Sequence, residues 1–195
     1  MRRFIVAVSL SALIFLSITP RSAVALQLPD GRTKSCVLPS GVQVPELVAP
    51  GPPVGFAGQT GPINVPPFVG ISYNTTRLNA IANQAGLLAA NMGVPPQFIA
   101  RNVSLVVEQL AYHECAHARV PTSNEIVANC ESIRQMITLG EASPADVQWI
   151  YAFTSSLGPQ PPQYGGSGQA FATLTAQCVA QHFNVPVTSL DSVPI

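Results

Sequence analysis

Proline decides where this chain can be helical. Of its 19 prolines and 14 glycines, nine prolines and seven glycines fall between residues 26 and 70. Proline removes a backbone donor and glycine raises the entropy cost of ordering, so no long helix is expected there. Residues 26–66 read as a Pro/Gly-rich extended segment, and composition leaves 38–66 open between ordered extended chain and a mobile tail. The run 67–73, Pro-Phe-Val-Gly-Ile-Ser-Tyr, is short, β-branched and aromatic, and is the best strand candidate.

From residue 75 onward the apolar period changes to 3.6. Thr75 or Thr76 can cap a first helix carrying Leu78, Ile81, Ala85 and Leu88 on one face, with Gly93 placed to stop it. A second helix is expected from Pro96 to Arg119, ended by Pro121, and a third from Ser123 or Asn124 to Gly140. Ser143-Pro144 is a good start for a fourth, which Gly158-Pro159 ends. Residues 158–168 form a loop, and a short last helix runs from Gln169 to about Phe183. The fold class expected is mainly α (α+β): an antiparallel helical core at 67–195 with a small N-terminal β or extended element.

The 195 residues include nine Lys+Arg and nine Asp+Glu. Arg2, Arg3 and Arg21 lie in the first 21 positions, leaving six basic against nine acidic groups beyond them. That balance lacks the basic footprint of a nucleic-acid binder. Residues 1–25 have the form of a Sec-type signal peptide: a basic Met1-Arg2-Arg3, an apolar run from Phe4 to Ile18, and small residues ahead of a cleavage point after Ala25. The mature chain is expected to be secreted or periplasmic and free of the membrane. Four cysteines, Cys36, Cys115, Cys130 and Cys178, suit two disulfides in an oxidising compartment. No sequence feature specifies an oligomer.

One motif carries chemistry: His113-Glu114-Cys115-Ala116-His117, at the end of the second helix. Positions i and i+4 share a helix face, so both imidazoles can meet one metal ion. Glu114, about 100° away, lies where it can take a proton from metal-bound water. A third zinc ligand is expected from Glu125, across the short link Val120–Ser123, which forces an antiparallel hairpin. Glu131 is the rival, but it lies about 120° off that face. Asn129, one turn beyond Glu125, can hydrogen-bond a ligand. His182, Tyr164 and Tyr73 are the candidates for stabilising an oxyanion, and the strand at 67–73 is a candidate edge for an extended peptide. Cys115 and Cys130 point away from the metal seam, about 160° from His117 and 140° from Glu125, and read as disulfide-bonded in preference to metal-bound; the same geometry disfavours a direct Cys115–Cys130 bridge and favours pairs with Cys36 and Cys178.

Together, His113-Glu114-Cys115-Ala116-His117 and Asn124-Glu125-Ile126-Val127-Ala128-Asn129 resemble the gluzincin zinc metallopeptidases, closest to small secreted bacterial metallopeptidase-like proteins. The resemblance covers about residues 100–137. It implies that His113, His117 and Glu125 bind Zn2+, that Glu114 activates water, and that the substrate is a peptide or protein. This chain has Asn129 where those proteins carry an aspartate. The function expected is therefore an exported zinc-dependent metallopeptidase-like hydrolase. The alternative is a catalytically inactive binding or structural protein on the same scaffold, with or without zinc.

Overall fold

The computed structural model describes residues 25–52, 57–62 and 69–183. Most of the signal-peptide expectation therefore falls outside the described residues, as do Pro67 and Phe68 of the expected strand. The helices are α1 (Thr75–Asn91), α2 (Pro96–Arg119), α3 (Glu125–Thr138), α4 (Pro144–Ser156) and α5 (Gly168–His182). Ahead of them lie β1 (Leu26–Gln27), β2 (Thr33–Lys34), β3 (Glu46–Ala49), β4 (Gly58–Pro62) and β5 (Val69–Asn74). The mainly helical α+β architecture is the one expected, with two disulfides, Cys36–Cys115 and Cys130–Cys178. Among the described residues no helix is long and apolar enough to cross a membrane.

The helix boundaries follow local chemistry. Asn74, the last residue of β5, caps α1 by accepting the Arg77 N–H, so the cap lies one residue before the expected threonines. Asn124 accepts the N–H groups of Ile126 and Val127 and starts α3. Ser143 and Asp146 form a reciprocal capping box with Pro144 at the first helical position of α4. Gly93, at φ +76°, closes α1 in the left-handed conformation that glycine tolerates.

α2 is the central element, packed by α1, α3, α4, β4 and β5. One side of it joins a helical core with Ile133, Met136, Ile150, Phe153 and Val179. The other side joins a second core in which Val107, Ala111 and Cys115 meet Leu26, Leu28, Val44, Ile71 and Tyr73. The Pro/Gly-rich segment is thus a layer of the fold, ordered through the described residues 25–52 and 57–62. Its β3 pairs parallel to β5 and β4 pairs antiparallel to it, in the order β3-β5-β4. β5 is the central strand, so it offers no free edge. This corrects the expectation for 67–73: the edges of the sheet are β3 and β4, and β4 is the one that meets Glu114.

A buried ion network fastens the β1–β2 hairpin to α2. Glu108, fully buried, receives Arg32 through two bonds of 3.0 and 2.8 Å and Lys34 at 2.7 Å. Lys34 also meets Glu141, and Arg32 meets Asp30. Removing one member of a buried pair leaves charge without its partner, a costly change. Here both cations keep a second carboxylate, which softens the loss. Glu108→Ala is expected to destabilise the protein by about 3 kcal/mol, read from the midpoint of denaturant unfolding.

Candidate metal centre

α2 and α3 are joined by Val120–Asn124, and this short link sets the site. His113 and His117 lie on the α2 face turned toward α3, and Glu125 is the first residue of α3. A carboxylate is favoured there by the helix dipole. The Glu125 Oε2 lies 2.9 Å from His113 Nε2 and 3.3 Å from His117 Nε2, and the two imidazole Nε2 atoms are 3.2 Å apart. Tetrahedral zinc with bonds of about 2.0–2.1 Å separates its donors by about 3.3 Å. The three atoms therefore already form one face of such a tetrahedron, and among the described residues they are the group able to hold a metal ion. His117 Nδ1 lies 2.7 Å from the Thr122 carbonyl oxygen. Donating there places the Nδ1 proton away from the cluster and leaves the Nε2 lone pair facing it.

Glu131 is held by Arg134 and Gln135 on its own helix and takes no part. Asn129 makes no hydrogen bond to either imidazole. Its Oδ1 receives Gln109 Nε2, and its Nδ2 donates to Thr175 Oγ1 at 2.9 Å. The orienting role expected of Asn129 thus falls to the Thr122 carbonyl, acting on His117. Asn129 instead ties α2, α3 and α5 together behind the ligands.

Glu114 is buried beside the cluster and reached by β4. The Thr60 hydroxyl lies 2.6 Å from the Glu114 carbonyl oxygen and 3.1 Å from its Oε2. A Cβ placed on Gly58 would come within 2.6 Å of Glu114 Cγ, so only glycine lets the strand approach this closely. Burial pushes the Glu114 carboxyl above its usual range, against the pull of His113, His117 and the Thr60 hydroxyl. A carboxyl whose hold on a proton is raised in this way is better suited to accept one from a neighbouring water.

Of the three oxyanion candidates, Tyr164 is at the site. It belongs to a short 3-10 helix, Pro162–Tyr164, in the 158–168 loop. It lines one cleft together with Thr60, Glu114, His117 and Glu125. Its ring is packed edge-to-face on Phe171, with centroids 5.0 Å apart. Burial, and then the neighbouring Glu125 and Glu114 carboxylates, push its phenol up, so the hydroxyl stays a donor. Tyr73 and His182 are corrections. Tyr73 is 3% exposed, packed in the second core. His182 is exposed in the last turn of α5 against Phe183. It lies a turn past Cys178 and is not among the residues that line the cleft. Thr60, Gly58 and Thr122 were not foreseen: a threonine in a Gly/Pro-rich run and a backbone carbonyl carry no local signature.

No protein-family model, curated protein or solved structure matches this chain.

In the metal-free protein, burial works against the Glu125 charge, but hydrogen bonds from His113 and His117 outweigh it and hold the carboxyl at about 2. The Glu125 hydrogen bond, opposed by burial, raises His117 above 6.5. The Glu125 contribution is therefore present above its unfolded value of 4.5 and lost as pH falls toward about 2. The His117 contribution is present below 6.5 and lost as pH rises through its higher folded value. Metal-stripped protein should melt at a higher temperature at about pH 5.5 than at about pH 8 through this pair, a difference that Glu125→Gln removes. Zinc has to displace the proton on His117, so zinc titrations should show weaker binding at the lower pH.

Proposed function

We propose that this protein is an exported zinc-dependent hydrolase that cleaves peptide bonds. The observation that carries the reading is the triangle of His113, His117 and Glu125 donors with edges of 2.9, 3.2 and 3.3 Å, with the Glu114 carboxylate alongside. Two disulfides fit the oxidising compartment that export implies. When bound at these donors, zinc would bring the pKa of its water towards about 7 and polarise a carbonyl.

The protein groups have defined parts. Glu114 accepts a proton as water oxygen bonds to the scissile carbon, and it delivers that proton to the amine nitrogen as the C–N bond breaks. The Tyr164 hydroxyl donates to the carbonyl oxygen as charge develops there. The open edge of β4, with Gly58, Gln59 and Thr60 lining the cleft, offers backbone groups to an extended substrate. Thr122 fixes the His117 tautomer through the whole cycle.

The test is metal content together with hydrolysis. Purified protein should hold one zinc per chain and cleave an unfolded protein such as casein. A chelator should stop cleavage, and added zinc should restore it. Absence of stoichiometric zinc, or cleavage indifferent to its removal, would overturn the reading. Zinc retained by a protein that cleaves nothing would leave the binding-protein alternative in its place.

A further inference from the structure

A cavity of about 430 Å³ opens beside His113 and Glu114, on the side of the site away from His117 and Glu125. Its walls are largely apolar: Ile81, Val106, Leu110, Phe153, Leu157 and Phe171. Such a cavity suits one large hydrocarbon or aromatic side chain. Gly58, Glu114 and Tyr164 line both this cavity and the outer cleft, so the reacting groups stand where the two meet.

One cation also lines it. Arg77 projects from the first turn of α1 and is half-buried. Among the described residues, its guanidinium has no acceptor within hydrogen-bonding distance, and only its backbone N–H is engaged. Arg32, Lys34, Arg101, Arg119 and Arg134 each have one. A guanidinium beside apolar walls and without a protein partner is matched to a carboxylate, which it binds through two parallel hydrogen bonds.

The helix register places Arg77 at the catalytic end of the cavity. α1 and α2 run antiparallel across the turn at Met92–Pro95, and Gly86 of α1 lies against Val103 of α2. Nine residues back from Gly86 is Arg77, and nine forward from Val103 is Tyr112, next to His113. The cation thus stands at the level of His113 along the paired helices, in the cavity that His113 and Glu114 also line.

We propose that this pocket takes the carboxyl-terminal residue of a peptide, its large apolar side chain filling the cavity and its free α-carboxylate paired with Arg77. The protein would then release single apolar residues from a chain's end. The proposal rests on the peptide-hydrolase reading, and the experiment separates the two.

Binding is measured by calorimetry on zinc-loaded full-length Glu114→Gln, so that hydrolysis does not interfere. The probes are benzoyl-glycyl-phenylalanine and its carboxyl-terminal amide. The free acid should bind about 10- to 100-fold more tightly than the amide. Adding Arg77→Gln should lower the acid to the level of the amide and leave the amide unchanged, and Arg77→Lys should restore part of the preference. An unchanged denaturation midpoint would show that these variants fold. Equal binding of acid and amide, binding of neither, or a preference that survives Arg77→Gln would each overturn the proposal. The last would mean that the metal, not Arg77, holds the carboxylate. In protein with Glu114 intact, Arg77-dependent acid binding without turnover would defeat the hydrolase reading and leave the pocket standing. Cleavage of internal peptide bonds with no preference for the acid would defeat the pocket alone.

Discussion

Glu114→Gln should lower peptide hydrolysis by about 10²- to 10⁴-fold while leaving zinc stoichiometry and the unfolding midpoint near those of the wild type. The amide has the shape of the carboxylate it replaces. It can keep the Thr60 hydroxyl within reach and fill the same space against Gly58. None of the three donor atoms belongs to it, so the cluster of His113, His117 and Glu125 is untouched. What disappears is the ability to take a proton. Burial holds the Glu114 carboxyl above its usual range, so the wild-type rate should fall as pH drops through that raised value. The residual activity of Glu114→Gln should lack this acidic limb. A variant with both full zinc and full activity would show that another group moves the proton.

The grouping of His113, His117 and Glu125 was legible because its geometry is local. Helical period puts His113 and His117 on one face, and a link of a few residues leaves Glu125 little choice but to meet them. The cysteines were legible in part for the same reason: both helical cysteines turn away from the seam, which disfavoured them as ligands and as partners of each other without choosing which takes Cys36 and which Cys178. The cover over the site was not legible. β4 reads Gly-Gln-Thr-Gly-Pro, a sequence with almost no strand preference. It is held by pairing with β5 and by Thr60 against Glu114, the second a contact made across 54 residues of chain. Tyr73, Tyr164 and His182 could not be ranked for a related reason: sequence gives their chemistry but not the side of the fold each one faces. The strand at 67–73 was found, yet its place in the sheet depends on β3 and β4, both drawn from the segment that composition described least well. Buried Glu108 was missed as well, because its partners Arg32 and Lys34 arrive from a hairpin more than 70 residues away.

Loss of either disulfide should cost about 4 kcal/mol, an effect comparable with a large part of a small domain's stability. The separations are 79 residues for Cys36–Cys115 and 48 for Cys130–Cys178, and loop-closure entropy grows only slowly with length, so the two costs should be similar. Their effects on the site should differ. Cys36–Cys115 anchors the N-terminal layer to α2, two residues from both His113 and His117, where Glu46 also accepts the Cys36 N–H at 2.6 Å. Cys130–Cys178 joins α3 to α5 behind Asn129, next to the Asn129–Thr175 hydrogen bond. In Cys130→Ala/Cys178→Ala, α3 loses its covalent tie to α5 but keeps the Asn129–Thr175 hydrogen bond and remains joined to α2 through the short link that presents Glu125. That variant should unfold at much lower denaturant yet still bind zinc when folded. In Cys36→Ala/Cys115→Ala, the loss should reach β3, and through the β3-β5-β4 sheet it should loosen β4 over Glu114, lowering turnover more than zinc affinity. Unfolding midpoints, zinc titrations and hydrolysis rates on the two double variants check this division. Equal loss of turnover in both would mean that the N-terminal layer does not govern the position of Glu114.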